Sequence, residues 1–111
     1  MIEQTMKDYL STALSVPVLW EMPAKLPNRF VTLEKTGSGE ENYIFRSTMT
    51  IQSYGPSLLE AAQLHERVKV AMNQLLELDE IGAVRLNSDY NFTDTTIKRY
   101  RYQAVYDITH Y

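Results

Sequence analysis

Ile2, Met6, Tyr9, Leu10 and Ala13 recur at spacings of three and four residues. They form one apolar stripe on a predicted helix of about four turns. The helix should stop before Pro17, because proline pushes the residue preceding it toward extended geometry. In SVPVLWEMPAKLPNRF, three prolines fall within eleven positions. They exclude a helix or a central strand. A short edge strand near Val18 to Glu21 is predicted, followed by an extended crossing to Arg29.

From Phe30 the pattern changes to alternation. Val31 and Leu33 point one way, Thr32 and Glu34 the other. In YIFRSTMTIQSY, Tyr43, Phe45, Met49 and Ile51 share one face, and Arg46, Thr48, Thr50 and Gln52 the other. A β-hairpin with one covered and one polar face follows. Its predicted loop is Gly37 to Asn42, where Gly37 and Gly39 are free to take positive φ.

The strongest local signal is SYGPSLLEAAQLHERVKVAMNQLLEL. Gly55-Pro56 breaks the strand, and Ser57 with Glu60 forms a capping box. Leu58, Ala61, Leu64, Val68, Ala71, Leu75 and Leu78 then keep helical spacing over about 21 residues. Ala61, Ala62 and Ala71 permit close approach to a sheet. A strand from about Ala83 to Asn87, a polar turn region and a last strand from about Thr96 to Thr109 complete the pattern. The predicted order is α-β-β-β-α-β-β. This is an α+β domain with a mixed or antiparallel sheet and two helices on one face. A single domain, 1–111, suits the length.

The last strand decides how its basic residues and tyrosines are read. Successive side chains of a strand point to opposite faces. Tyr100, Tyr102, Ala104, Tyr106 and Ile108 fall on one side, and Arg99, Arg101, Gln103, Val105 and Asp107 on the other. A single-strand binder needs aromatics and cations in one groove, and the pleat separates them. The tyrosines are therefore expected under the helices. Lys98, at the start on the aromatic side, should escape to solvent. The net charge of −3 lowers the expectation of phosphate binding further.

With no cysteine, disulfides, thiolate metal sites and cysteine nucleophiles are absent. No apolar run approaches the roughly 20 residues needed to span a bilayer, and the first residues lack a signal-peptide core. His65 lacks a partner histidine at i+4 and reads as a helix-surface residue; His110 reads as solvated. Asp89, Asn91 and Asp94 lack the glycine and distal glutamate of a calcium loop, so turn chemistry is expected. Trp20 suits either a satellite core, the favoured placement, or an interface anchor. No catalytic, cofactor or metal constellation stands out. A Ser-His-Asp arrangement formed only in space is invisible in the sequence.

The segments VPVLWEMP, FVTLEKTGSGEENYIFRSTMTIQSYGPSLLEAAQL and RYRYQAVYDITHY, in that order, resemble the small tail-completion or tail-terminator proteins of long-tailed bacteriophages. The likeness runs nearly end to end. It implies a non-enzymatic virion protein that forms a hexameric ring on the tail tube. Such a ring stops tube growth and joins the head-tail connector protein. It is found in the virion tail or neck, and in host cytoplasm during assembly. Expected partners are copies of the chain, the tail tube protein and the connector, with no membrane and no sequence-specific nucleic acid. Trp20, Gly37, Gly39, Glu40, Glu41, Arg46, Asp89, Asn91, Arg99 and Arg101 are the expected contact residues, with the loops Gly37 to Asn42 and Asn87 to Asp94 ordering on docking. Alternatives are a head-side connector or other neck adaptor, a small enzyme, and a small nucleic-acid-binding domain.

Overall fold

The structure, a computed structural model, describes residues 1–96 and 99–111. Helix α1 (Ile2–Leu14) leads through β1 (Val18–Leu19), β2 (Phe30–Glu41) and β3 (Ile44–Gly55) to helix α2 (Leu58–Gln74). A 3-10 turn (Leu75–Glu77), β4 (Ile81–Asn91) and β5 (Tyr100–His110) follow. The five strands form one mixed sheet in the order β1-β2-β3-β5-β4. Only the β1–β2 pairing is parallel; β2–β3, β3–β5 and β4–β5 are antiparallel. The α+β class and the predicted element order hold.

Helix α1 buries Ile2, Met6, Leu10 and Leu14. Leu14 takes the inward place expected of Ala13, which is exposed. Ser15 ends the helix in the left-handed region, with φ 55°, and its N–H donates to the Ser11 carbonyl. Pro17 then begins the parallel pairing, its carbonyl accepting the Val31 N–H at 2.9 Å. Helix α2 is capped at Ser57, whose Oγ accepts the Glu60 N–H at 3.2 Å; Glu60 Oε2 accepts from Ser57 Oγ at 3.0 Å, not from the Ser57 N–H that a capping box uses. It ends sooner than expected, tightening into the 3-10 turn at Leu75.

Both helices lie on one side of the sheet, α1 over β1 and β2, α2 over β3 and β5. The core between the layers holds Met6, Leu10, Val31, Leu33, Met49, Ile51, Leu64, Val68, Met72, Ala104, Tyr106 and Ile108. Each large apolar side chain sealed there contributes about 1.5–3 kcal/mol. The helix–helix joint is pinned by Tyr9, whose hydroxyl donates to the Ala71 carbonyl at 2.7 Å. Burial, and then the charge of Glu77, push that phenol's pKa up. Arg67 reaches across to the Leu14 carbonyl and satisfies the open end of α1. At the other end of α2, Gly55 permits the close approach: a Cβ there would lie 2.6 Å from the Ala61 nitrogen.

Three expectations are corrected. The hairpin's strands run on through Gly37, Gly39, Glu40 and Glu41, so these residues are strand, not loop. The turn falls at Asn42 and Tyr43, with φ 52° and 65°. Two consecutive left-handed residues match the right-handed twist of the flanking strands. No glycine takes positive φ among the described residues. Likewise β4 extends to Asn91, which moves Ser88, Asp89, Tyr90 and Asn91 from the predicted turn region into a strand. The last strand starts at Tyr100, not Thr96. Lys98 and the remainder of that expected strand start, Ile97, lie outside the described residues.

Candidate functional site

The bare face of the sheet is the candidate site, because no helix covers it. Register builds it in rows. One row crosses all four long strands: Thr32 on β2, Gln52 on β3, Gln103 on β5 and Tyr90 on β4. Its side chains are joined by hydrogen bonds. Thr32 Oγ1 donates to Gln52 Oε1 at 3.3 Å. Gln52 Nε2 donates to Gln103 Oε1 at 2.7 Å, and Gln103 Nε2 to Tyr90 Oη at 2.6 Å. A linked chain of amides of this kind holds each member in one orientation.

On one side of this row the face is aromatic. Phe30 and Tyr54 pair across β2 and β3 and stack with ring centroids 4.4 Å apart. Both are fully buried although they lie on the helix-free face. Tyr54 Oη donates to Gln52 Oε1, tying the stack to the row. Arg101 lies over the Phe92 ring at 4.5 Å. Its Nε donates to the Phe92 carbonyl at 2.7 Å and its Nη1 to Tyr54 Oη at 3.3 Å. Arg101 therefore meets aromatics, but rings from β3 and the segment after β4. Two of the β5 tyrosines lie under the helix layer as expected, and Tyr100 does not. Tyr106 is buried in the core, and Tyr102 stacks on His65 of α2 at 5.1 Å. Tyr100, at the strand's start, is 44% exposed.

On the other side the face is polar. Thr48 Oγ1 donates to Asp107 Oδ1 at 3.0 Å, and Asn87 Nδ2 to Asp107 Oδ2 at 3.1 Å. Arg46 on β3 and Arg85 on β4 flank this carboxylate in a cleft of about 580 Å³.

The expected contact residues divide between places. Arg46, Arg101, Gly37 and Gly39 belong to the bare face, the two glycines opposite Thr48 and Arg46. Trp20 lies outside the core at 40% exposure, correcting the favoured placement. With Met22 it borders a cleft over Thr32, Thr50 and Gln52. Arg99 donates to the Pro27 and Leu26 carbonyls and so binds the proline-rich crossing to the start of β5. Glu40 and Glu41 stand exposed beside the turn. Asn91 accepts from the Thr93 N–H and Oγ1, an Asx turn that ends β4.

Asp89 is not with them. It faces the helix layer, where its Oδ2 meets His65 Nε2 and Lys69 Nζ, each at 3.0 Å. The hydrogen bond from His65, then that from Lys69, hold its carboxyl below the usual range. His65 is thus no surface residue: it is 3% exposed, and its Nδ1 is buried without a partner. His110 is not solvated either. Its Nε2 bonds Ser47 Oγ at 2.8 Å, its ring stacks on Phe45, and burial lowers its pKa.

Sequence reading passed over Phe30, Tyr54, Arg85, Tyr90 and Phe92. For Tyr54 the signal was present, since it shares parity with Arg46, Thr48, Thr50 and Gln52. For Arg85, Tyr90 and Phe92 it was not, because a bulge between Leu86 and Ser88 resets the alternation. Among the described residues, no group of three or more His, Asp or Glu side chains converges to hold a metal. Among the described residues, no helix is long and apolar enough to cross a membrane. No protein-family model matches the chain, and no curated protein matches it significantly.

Proposed function

We propose that the chain is a structural subunit of a phage tail, capping the tail tube as a ring and joining it to the head connector. The observation that carries this reading is the one-sided layer. Two helices seal one face of the sheet and leave the other as a fixed, hydrogen-bonded polar and aromatic surface. A surface whose side chains are already held in place docks a partner at low ordering cost. The sheet also ends in unlike edges, β4 on one side and the stretch of β2 beyond β1 on the other. Unlike edges join head to tail, and a ring forms where the rotation closes.

On this reading the ring matches the last tube layer on one side. On the other it presents a surface that recruits the connector and no further tube protein. Docking through a preformed face replaces the loop-ordering route, since Gly37 to Glu41 and Asn87 to Asn91 are strand. The test is to add the protein to polymerising tail tube subunits of a long-tailed phage and score tube lengths and ends by electron microscopy. Shortened tubes with ring density at one end are expected. Unchanged lengths with bare ends overturn the proposal.

A further inference from the structure

The bare face carries a basic cleft beside the hairpin tip, where Glu41 shares that face and Glu40, opposite Phe45, projects from the other. The hairpin is laddered to its turn, so Glu40 and Glu41 are held out at the end of a stiff arm. The molecule measures 44 × 23 × 23 Å. Neither glutamate has an ion-pair partner among the described residues, and Tyr43 beside them is 88% exposed.

In the neighbouring cleft, Arg46 and Arg85 are exposed and also form no ion pair among the described residues. The carboxylate between them, that of Asp107, is hydrogen-bonded by neutral donors, Thr48 and Asn87, and offsets only one of the two positive charges. Two guanidinium groups therefore face the cleft with spare donors, a geometry that takes carboxylates in forked pairs. The arm's own tip cannot fold back to fill the cleft, because its strands pair up to Glu41 and Ile44.

We propose that the cleft receives the acidic hairpin tip of a second copy of this chain, and that the contact is reciprocal about a two-fold axis. Glu41 at the tip and the cleft lie next to each other on one face, so a two-fold rotation satisfies both at once, as an isologous contact requires. The occupant's chemistry is set by charge: Glu41, with Glu40 beside it at the tip, against two guanidiniums that outweigh the one Asp107 carboxylate of the cleft. This goes beyond the ring reading, whose joints use unlike edges, and it needs no tail to be tested.

The test is light scattering of the full chain across concentration and salt. A species of twice the 12.9 kDa chain mass is expected, weakening as salt rises. Reversing the tip (Glu40→Lys with Glu41→Lys) or the cleft (Arg46→Glu with Arg85→Glu) should each raise the dimer Kd by about tenfold or more. Mixing the two reversed proteins should restore a heterodimer, because both of its contacts are again attractive. That recovery also shows that the variants fold. A chain that stays monomeric at all concentrations overturns the proposal. So does a dimer or ring indifferent to either reversal, or a mixture that does not recover. A six-subunit species indifferent to charge reversal would leave the ring reading standing and remove this contact alone.

Discussion

His65 shows how much one side chain organises. Its ring lies on Tyr102 and its Nε2 meets Asp89, so α2, β4 and β5 are fastened at one point. Replacing it with alanine leaves a gap and strips Asp89 of its closest buried partner. A loss of about 2–3 kcal/mol is expected, read by urea unfolding. Asp89 also ties stability to pH. Its folded pKa is lowered, so its contribution is full above the ordinary carboxylate range and is lost as pH falls through the folded value. Asp89→Asn should remove that part of the acid limb; an unchanged acid transition in the variant counts against the assignment. His110 carries the same sign near neutrality. Burial, and then Lys35, lower its pKa, so stability falls as the solution is acidified from its ordinary value near 6.5. Nuclear magnetic resonance should place its titration midpoint below that value.

At the scale of elements, the turns and caps set where strands and helices begin. Tyr43 occupies the left-handed region at the second turn position, where L side chains other than Asn and Asp are disfavoured. Tyr43→Gly should stabilise the fold by up to about 1 kcal/mol, measured as an upward shift in Tm. Should the arm tip contact a second copy through Tyr43, the same change will weaken the dimer while stabilising the monomer. Ser57→Ala removes the acceptor for the Glu60 N–H and should cost about 1 kcal/mol in denaturant unfolding. Gly55→Ala is the stricter probe of the layer joint. Its new methyl meets the backbone of α2, which cannot step aside as a side chain would. A loss of about 1–3 kcal/mol is expected, and a neutral result would mean that α2 sits farther from β3 than described.

For the whole molecule, the unequal treatment of the two sheet faces organises the rest. Helices cover one face over β2, β3 and β5 and meet β4 through Asp89 alongside the 3-10 turn; Leu86 remains half exposed at that edge. The opposite face is held by side-chain hydrogen bonds running from β2 to β4. Gln52→Ala or Gln103→Ala interrupts that row at its centre and leaves a partner amide unsatisfied. Each should cost about 1–2 kcal/mol, and a double-mutant cycle should show coupling between them. If the bare face contacts the tail tube, the same variants will cap tubes less well than their loss of stability accounts for.

Much of this architecture was legible in the chain alone. The periods of α1 and α2, the cap at Ser57 and the alternation of β3 and β5 are local properties, set by 3.6-residue and 2-residue geometry. They suffice for the element order, the one-sided helix layer and the inward places of Tyr102 and Tyr106, but not for Tyr100, which is exposed. Strand ends, turn position and burial of polar groups were not legible, because each depends on a partner distant in sequence. Gly37 and Gly39 read as a loop until pairing with Thr48 and Arg46 made them strand. His65 read as surface until Asp89 and Tyr102 closed over it. Arg46 and Arg85 became one cleft only when β5 was threaded between their strands, and strand order is written in long-range contacts that no local pattern carries.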